Sequence, residues 1–399
     1  MKRGTRLLVV SNFVANLGRG LCWPYLGFRL YDIGATYLQI FLMNSLAAAT
    51  YMLSRPWGAL SDYYGRRKPF MLLGFTGSAL PLLFMASFNR DIAVLLFAYL
   101  ASCFSWALAF PAFVVALTSD PKKEEATTAF TLTGSLGWAV GTGLMGPVDA
   151  LLGPGGLFSL GFIVFLAFPA ILAFYDEKKL PRKQSSLKSY LKGALTPAFR
   201  AKNGFSLLLG AIFLSWLGLQ WANLLIRIRV YDSLGRSKVS MGLLMGAGSL
   251  LSAAMLAVAG KAIRRLGGLR IFALSTACYT TMTPIYVVAS DPSVFVVLWL
   301  LPAGPLFNLG YTLSPAELAE EDVRGEAVGY CEAVRNLGVL LGLLGGLAAD
   351  TVGRETSLAL SAIPLGGALV PMAACYRAVS SCRRATHMSY RPGRPPWPR

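Results

Sequence analysis

Charged residues are scarce in this chain of 399 residues. Asp, Glu, Lys and Arg together make up 14% of the sequence, whereas 55% of it is hydrophobic. A soluble globular protein carries about 25% charged residues. The composition therefore excludes a large soluble helical protein and indicates a chain that is surrounded mostly by apolar groups.

Residues that build enzyme active sites and metal centres are scarce as well. The single histidine, His387, lies near the C-terminus, and the six cysteines show neither metal-ligand spacing nor the pattern of a disulfide framework. A phosphate-binding loop of the Gly-x-x-x-x-Gly-Lys-Ser/Thr type is also absent from the sequence. We therefore predict that the protein is not an enzyme and holds neither a metal ion nor an organic cofactor.

Long apolar runs fill most of the chain. Runs of about twenty mostly apolar residues are typical of transmembrane helices, and helices are favoured because lipid offers backbone polar groups no partner. The alternating strands of a membrane barrel are not visible. We predict an all-α membrane protein with twelve transmembrane helices. Their residues are 7–28, 38–60, 69–88, 92–117, 126–152, 156–175, 205–230, 240–263, 269–289, 293–314, 327–349 and 357–379.

Basic residues are distributed unevenly among the connections. The net charge of +18 by itself suggests nucleic-acid binding, but most Lys and Arg residues fall on one side of the predicted membrane, as in cytoplasmic loops. The outer loops and helix ends hold seven: Arg29, Arg90, Arg227, Arg229, Arg236, Lys238 and Arg354. We therefore predict cytoplasmic termini, contact with anionic membrane lipids and no nucleic-acid partner. Short outer loops without glycosylation sequons suit a plasma membrane, in which we expect a monomer.

The two halves of the chain repeat each other at an offset of about 200 residues. The segment from Arg29 to Asp32 (Arg-Leu-Tyr-Asp) recurs from Arg229 to Asp232 as Arg-Val-Tyr-Asp, and later glycines recur in the same order. Preserved order over most of the chain indicates a duplication. We predict two pseudo-symmetric six-helix bundles at residues 1–175 and 205–379.

Two basic segments complete the predicted domain organisation. A cytoplasmic linker occupies residues 176–204, where the spacing of apolar residues predicts a short helix on the inner membrane surface; a flexible charged linker is equally compatible with the composition. The tail at 380–399 is rich in arginine and proline, and we predict that it is disordered.

The segment Gly58 to Lys68, GALSDYYGRRK, lies between two apolar runs and is far more charged than either. Its order of residues predicts a tight, positively charged turn at a membrane surface. The pattern resembles the Gly-x-x-x-Asp-x-x-Gly-Arg-Arg/Lys loop between the second and third helices of the major facilitator superfamily, and the duplication extends this resemblance to the whole chain. The second copy, Gly260 to Gly267, has Arg264 in place of the acid.

The resemblance implies a secondary transporter whose two halves rock around a central site. It further implies a gate in which Asp62 lies beside the start of the eleventh helix and Arg66 reaches Asp120. Similar proteins use such contacts as a latch that holds the outward-open state; the alternative is that the basic residues only fix topology. The residues assigned to this gate are Gly58, Asp62, Gly65, Arg66, Arg67 and Asp120.

A polar stripe runs along the first predicted span. Asn12, Asn16, Arg19 and Trp23 are spaced i, i+4, i+7 and i+11, which puts them on one helix face. Arg19 lies near the middle of the bilayer, where a charge costs at least about 2.5–3.5 kcal/mol. We predict that it faces a polar cavity and binds an anionic or strongly hydrogen-bonding solute. The alternative is a structural cation satisfied by carbonyl groups or by Glu332.

The second half of the chain supplies the opposite wall and a candidate coupling pair. Leu219 stands at the position equivalent to Arg19, so two facing arginines, as in the organophosphate exchangers of the superfamily, are not expected. Glu332 and Arg335 lie three residues apart inside an apolar run and form the candidate coupling pair, although they are also spaced to neutralise each other. The predicted substrate-binding residues of this half are Gln220, Trp221, Asn223 and Asn308, with helix packing as the alternative.

We therefore predict a secondary active transporter for a small polar or anionic organic solute, with proton or sodium as the coupling ion. A proton-coupled efflux pump for hydrophobic compounds is the alternative. It is disfavoured because the Gly-Pro of the fifth helix and the arginine of the fourth helix, both typical of such pumps, are not at their positions. A non-transporting receptor or scaffold on the same fold is a third interpretation.

Overall fold

The computed structural model describes residues 3–119, 122–177, 186–187, 204–318 and 324–389, and all regular secondary structure in these ranges is α-helical. The helical elements are α1 Arg3–Asp32, α2 Tyr37–Met52, α3 Ser54–Tyr64, α4 Lys68–Ala79, α5 Pro81–Ser87, α6 Ile92–Thr118, α7 Lys123–Ala173, α8 Phe205–Ser233, α9 Lys238–Leu266, α10 Gly268–Val288, α11 Pro292–Leu300, α12 Ala303–Leu318, α13 Arg324–Leu341, α14 Leu344–Val352, α15 Arg354–Leu360 and α16 Ala362–Ser389.

Nine helical stretches in the described ranges are long and apolar enough to cross a membrane. Several predicted spans consist of two consecutive elements: 38–60 corresponds to α2 and α3, 69–88 to α4 and α5, and 293–314 to α11 and α12. Conversely, α7 contains both 126–152 and 156–175, and its helix is interrupted at Gly153, whose φ of 68° suits glycine. The helix α1, which carries the polar stripe, is not among the nine. The count of twelve spans stays a prediction.

The last helix is longer than predicted. The helix α16 continues to Ser389, ten residues into the tail segment 380–399, for which disorder stays a prediction. Alanine and arginine are good helix formers, and the helix-breaking prolines of this segment start only at Pro392. Residues 390–399 and the predicted linker helix, apart from Leu187, lie outside the described residues.

Glycines allow α1 and α7 to approach until their backbones touch. A Cβ atom at Gly137 would lie 2.3 Å from the carbonyl oxygen of Phe13, and one at Gly141 would lie 2.2 Å from that of Leu17. Such small residues are typical of close helix contacts in membranes. Gly338 on α13 corresponds to Gly137 in the repeat of the two halves. It is similarly tight, because its Cβ would lie 2.8 Å from the carbonyl oxygen of Phe213 on α8. The duplicated glycines thus have the same packing role in both halves.

Aromatic clusters support the helices that surround the centre of the molecule. In the first half the ring of Phe75 lies 4.1 Å from that of Phe168 and 5.0 Å from that of Trp106, measured between centroids. In the second half the rings of Phe272 and Phe307 are 5.1 Å apart. Aromatic pairs in this distance range stabilise packing beyond the burial of their area. The side chains that face the centre are therefore held by tightly packed neighbours.

We predict that Gly141→Ala destabilises the protein whereas Gly143→Ala, two residues along the same helix, does not. A Cβ at Gly141 would overlap backbone atoms that cannot move aside, which typically costs about 1–3 kcal/mol. A Cβ at Gly143 would have no heavy atom within 4 Å. Melting temperatures of the two variants in detergent provide the measurement. Equal melting temperatures would contradict the close approach of α1 and α7.

Candidate functional site

Two adjoining cavities lie between helices from the two halves of the chain. The larger is open and has a volume of about 1000 Å³, and the smaller has a volume of about 260 Å³. Four residues line both cavities and mark the junction between them: Arg19, Trp138, Asn223 and Arg227. The junction therefore carries one arginine from each half of the chain.

The predicted substrate-binding residues are brought together with one exception. Asn12, Asn16 and Asn308 line the larger cavity, Trp23 and Gln220 line the smaller one, and Arg19 and Asn223 line both. Trp221 lines neither; its indole N–H donates a hydrogen bond to Ser357 Oγ at 2.9 Å. Consecutive residues of a helix point about 100° apart, so Gln220 and its neighbour face different surroundings. Whether the cavity residues bind a solute stays a prediction.

Arg19 has polar and aromatic neighbours but no acid. Its guanidinium carbon lies 4.3 Å from the ring centroid of Trp106, which is a cation–π geometry. Its Nη2 donates to the hydroxyl of Tyr51 at 3.5 Å. Among the described side chains, no carboxylate forms an ion pair with it. Glu332, named above as its alternative partner, pairs with Arg335 instead. The positive charge therefore remains available at the cavity wall.

Arg227 is the residue that sequence reasoning missed. It was assigned to the outer loops and helix ends, and only Leu219, at the position equivalent to Arg19, was considered for a second cavity arginine. The helix α8 continues to Ser233, six residues beyond Arg227, and the side chain lines both cavities. Its Nε donates to Asn223 Oδ1 at 3.0 Å. The i, i+4 spacing of Asn223 and Arg227 was the signal that could have placed both on one face.

The candidate coupling pair is a compact cluster beside the smaller cavity. Glu332 forms an ion pair with Arg335 and accepts a hydrogen bond from the hydroxyl of Tyr311 at 2.9 Å. The guanidinium of Arg335 lies 4.9 Å from the ring centroid of Trp216. Within the described chain, Arg335 Nε and Trp216 Nε1 are buried and have no hydrogen-bond acceptor. The wall of the smaller cavity thus carries two buried donors without an acceptor among the described residues.

The predicted gating loop is anchored by contacts that its motif does not indicate. Gly65 ends α3 with a φ of 63°, which favours glycine, and Arg67 Nη2 lies 3.7 Å from Asp62 Oδ1. The backbone N–H groups of Arg67 and Lys68 both donate to the carboxylate of Glu177, which the motif gives no sign of. Arg66 is exposed, and its predicted partner Asp120 lies outside the described residues. The gating roles therefore stay predictions.

The end of the molecule where α1 and α8 terminate is closed by contacts between the two halves. Tyr31 donates its hydroxyl hydrogen to Asp232 Oδ2 at 2.9 Å, and Tyr231 donates to the carboxylate of Asp32 at 3.2 Å. Lys238 Nζ lies 3.0 Å from Asp32. We call this region the closed end.

Two further contacts of the closed end repeat at the same offset as the sequence. A Cβ at Gly146 would lie 2.3 Å from the Cα of Val239, and one at Gly346 would lie 2.8 Å from the Cα of Leu38. Helices from the two halves therefore touch at both glycines.

Carboxylates follow each of these glycines. Asp149 pairs with Lys238 at 3.2 Å. Asp350 accepts from the backbone N–H groups of Tyr37 and Leu38, both at 2.9 Å, where the dipole of α2 favours a negative charge. The closed end is held by polar contacts that a conformational change can exchange for water.

The opposite end of the larger cavity reaches toward the beginnings of α1 and α7. Asn12, Phe130 and Thr131 line it there, as does Thr312 near the end of α12. Residues near the beginnings of α1 and α7 and near the end of α12 therefore form part of the cavity wall. This arrangement, many apolar helices around a cavity lined by both polar and apolar residues, is that of a polytopic membrane protein.

The family model of the Major Facilitator Superfamily matches residues 8–316, and the chain belongs to this superfamily. It is a transporter rather than an enzyme. No curated protein matches the chain by sequence. The fold is similar to that of a mutant of the nucleoside transporter NupG, with a TM-score of 0.78 and 13% identity over 94% of this chain and 100% of that one.

Two further solved structures have a similar fold. A POT family transporter in complex with 5-aminolevulinic acid has a TM-score of 0.75 and 11% identity, over 93% of this chain and 95% of that one. The human organic anion transporter MFSD10 (TETRAN) has a TM-score of 0.66 and 14% identity, over 93% and 100%. These similarities establish the fold.

We predict that Lys238→Met loosens the closed end. The half-buried ammonium group sits between Asp32 and Asp149, and its loss leaves two carboxylates without their shared cation, at a cost of about 1–3 kcal/mol. Hydrogen–deuterium exchange of peptides covering 28–40 and 228–242 should rise several-fold. Arg90→Met, which removes an exposed cation from the loop between α5 and α6, is the matched control. Unchanged exchange in Lys238→Met would show that the ion pairs do not hold this end together.

Proposed function

We propose that this protein is a secondary active transporter of small organic anions. The observation that carries the proposal is the pair Arg19 and Arg227, which line the same cavities from different halves of the chain. A charge removed from water is costly unless a counter-charge accompanies it. Since neither guanidinium has a carboxylate partner among the described residues, an anionic solute is the ligand that supplies the missing charge.

The proposed mechanism is alternating access between two six-helix halves with twelve spans in total. With both termini in the cytoplasm, as the distribution of basic residues favours, the closed end faces the outside and the cavity faces the cytoplasm. Transport then requires the closed end to open while the opposite end closes around the solute. A solute shifts this equilibrium only through a difference in its affinity for the two states. Contact with one arginine from each half makes that affinity depend on how the halves are arranged.

We further propose that the transporter acts as a monomer in the plasma membrane and is coupled to a proton carried by Glu332. The proposal is supported by the contacts of the carboxylate, because Glu332 forms an ion pair with Arg335 on its own helix and accepts a hydrogen bond from Tyr311 on α12, so that a proton on Glu332 would change both contacts. Protonation would release Arg335 toward the smaller cavity, which it lines.

The alternative of an efflux pump for hydrophobic compounds draws support from one observation, the aromatic side chains in the larger cavity, such as Trp106 and Trp299. The MFSD10 structure is named for an organic anion transporter, and its similar fold is compatible with the anion proposal. The two functions differ in a direct way. An anion transporter needs the arginines, whereas a pump for neutral or cationic compounds is hindered by them.

We predict that Arg19→Gln and Arg227→Gln each lower anion transport at least about tenfold, equivalent to about 1.4 kcal/mol. The measurement is counterflow into proteoliposomes with a panel of carboxylates, phosphate esters, sugars, amino acids and cationic dyes. Arg90→Gln, an exposed arginine outside the cavities, is the control for loss of charge alone. Transport of sugars or dyes in preference to every anion would refute the proposal, as would full activity in both cavity variants.

We predict that Glu332→Gln abolishes uptake driven by a pH gradient but preserves counterflow. Counterflow needs no net movement of protons, whereas accumulation against a gradient does. The amide keeps the size of the side chain and can still accept a hydrogen bond from Tyr311. Parallel measurements with a sodium gradient separate the two coupling ions. Retained pH-driven accumulation would exclude Glu332 as the proton carrier.

A further inference from the structure

We propose that the transported anion carries two negative charges on a compact head and a planar aromatic body, as in an aryl phosphate monoester. The inference rests on the proposed anion transport and narrows its substrate class. The head would bind at the junction of the two cavities, between Arg19 and Arg227. The body would lie in the larger cavity.

The charges around the junction indicate a dianion. Three arginines line the two cavities. Arg19 and Arg227 line both cavities, and Arg335 lines the smaller one. Only Arg335 has an acidic partner, Glu332. Two guanidinium charges therefore remain uncompensated among the described side chains. A monoanion would neutralise one of them and leave the other without a counter-charge in apolar surroundings, whereas a dianion neutralises both.

The hydrogen-bonding groups at the junction suit a head rich in acceptors. Arg227 uses Nε for Asn223 Oδ1, which leaves its terminal nitrogens and the amide N–H groups of Asn223 as donors. Arg19 contributes its guanidinium from the opposite half and is held over the ring of Trp106. A tetrahedral head with three charged or partly charged oxygens can accept hydrogen bonds from both arginines at once. Planar guanidinium groups favour such paired hydrogen bonds to phosphate oxygens.

The larger cavity suits an aromatic body. Its walls include Trp106 and Trp138 from the first half and Tyr279 and Trp299 from the second. Trp138 also lines the junction, so it connects the proposed position of the head with the larger cavity. Aromatic rings contributed by both halves of the chain suit a flat apolar group better than a branched polyol, because such a group can stack on them. With the head at the junction, the body extends into the larger cavity.

The test compares phenyl phosphate with phenyl sulfate, two ligands of nearly equal shape but different charge. The second ionisation of a phosphate monoester has a pKa of about 6, so phenyl phosphate is mainly a dianion at pH 7.5 and mainly a monoanion at pH 5. Phenyl sulfate is a monoanion at both. Binding to the purified full-length chain is measured by calorimetry at both pH values. At pH 7.5 we expect phenyl phosphate to bind at least tenfold more tightly than phenyl sulfate. At pH 5 we expect the affinities of the two ligands to agree within about threefold.

Arg227→Gln and Arg19→Gln supply a second readout. With one guanidinium left, each variant should bind the two ligands within about threefold of each other at pH 7.5. Affinity for phenyl sulfate should fall less than affinity for phenyl phosphate. Arg90→Gln should keep the tenfold preference of the natural chain. A purely structural role of the cavity arginines would weaken both ligands equally and overturn the inference. Should either variant fail to fold, the pH comparison in the natural chain decides alone.

Methyl phosphate and inorganic phosphate test the aromatic body. Both carry the charged head without the ring, and we expect them to bind at least tenfold more weakly than phenyl phosphate. Equal affinity of methyl and phenyl phosphate would overturn the aromatic body. Equal affinity of phenyl phosphate and phenyl sulfate at pH 7.5 would overturn the dianion but leave anion transport standing. If phenyl phosphate, phenyl sulfate, methyl phosphate and inorganic phosphate all fail to bind, the inference is overturned. The proposal of anion transport is tested separately, by counterflow with the wider panel of solutes.

Discussion

The free-energy cost of an unpaired positive charge in a membrane is the constraint on which the rest of this structure depends. Arg19 and Arg227 lie inside their helices rather than at the helix ends. Surrounding hydrocarbon would make each of these charges cost at least about 2.5–3.5 kcal/mol. The cavity around them avoids this cost, and the helices must pack so that it stays open. Close contacts at Gly137 and Gly141, backed by the aromatic cluster around Phe75, bring α1 and α7 together without filling the centre.

Much of the site could be read from the sequence, because helical periodicity is a local property. The stripe of Asn12, Asn16 and Arg19 predicted a common face, and the structure places all three on the cavity wall. Arg227 escaped prediction because the sequence does not distinguish it from the other arginines near the end of the same span, whereas their contacts do. Arg229, two residues later, donates to the carbonyl oxygen of Tyr286 at 2.7 Å and pairs with Glu355. One of these nearby arginines is thus structural and the other faces the cavity.

Features that depend on contacts between distant segments were the hardest to foresee. The repeated Tyr-Asp dipeptides were visible as a duplication, but nothing local indicates that each tyrosine meets the aspartate of the other half. Glu177 likewise holds the start of α4 from far along the chain. Helix caps repeat more predictably: Asp91 and Asp291 each accept a backbone N–H from the first turn of the helix that follows. Local chemistry is inherited with the segment, whereas long-range pairing has to be observed.

The exchange of partners at the closed end has an evolutionary consequence. Tyr31 contacts Asp232 while Tyr231 contacts Asp32, which is the reciprocal pattern of an isologous interface between identical subunits. A single ancestral half bearing one Arg-x-Tyr-Asp segment would already have been complementary to a second copy of itself. On the predicted duplication, fusion of two such halves would have required no new contact there. Each copy could then diverge, and Arg19 and Arg227 stand at non-equivalent positions of the two halves.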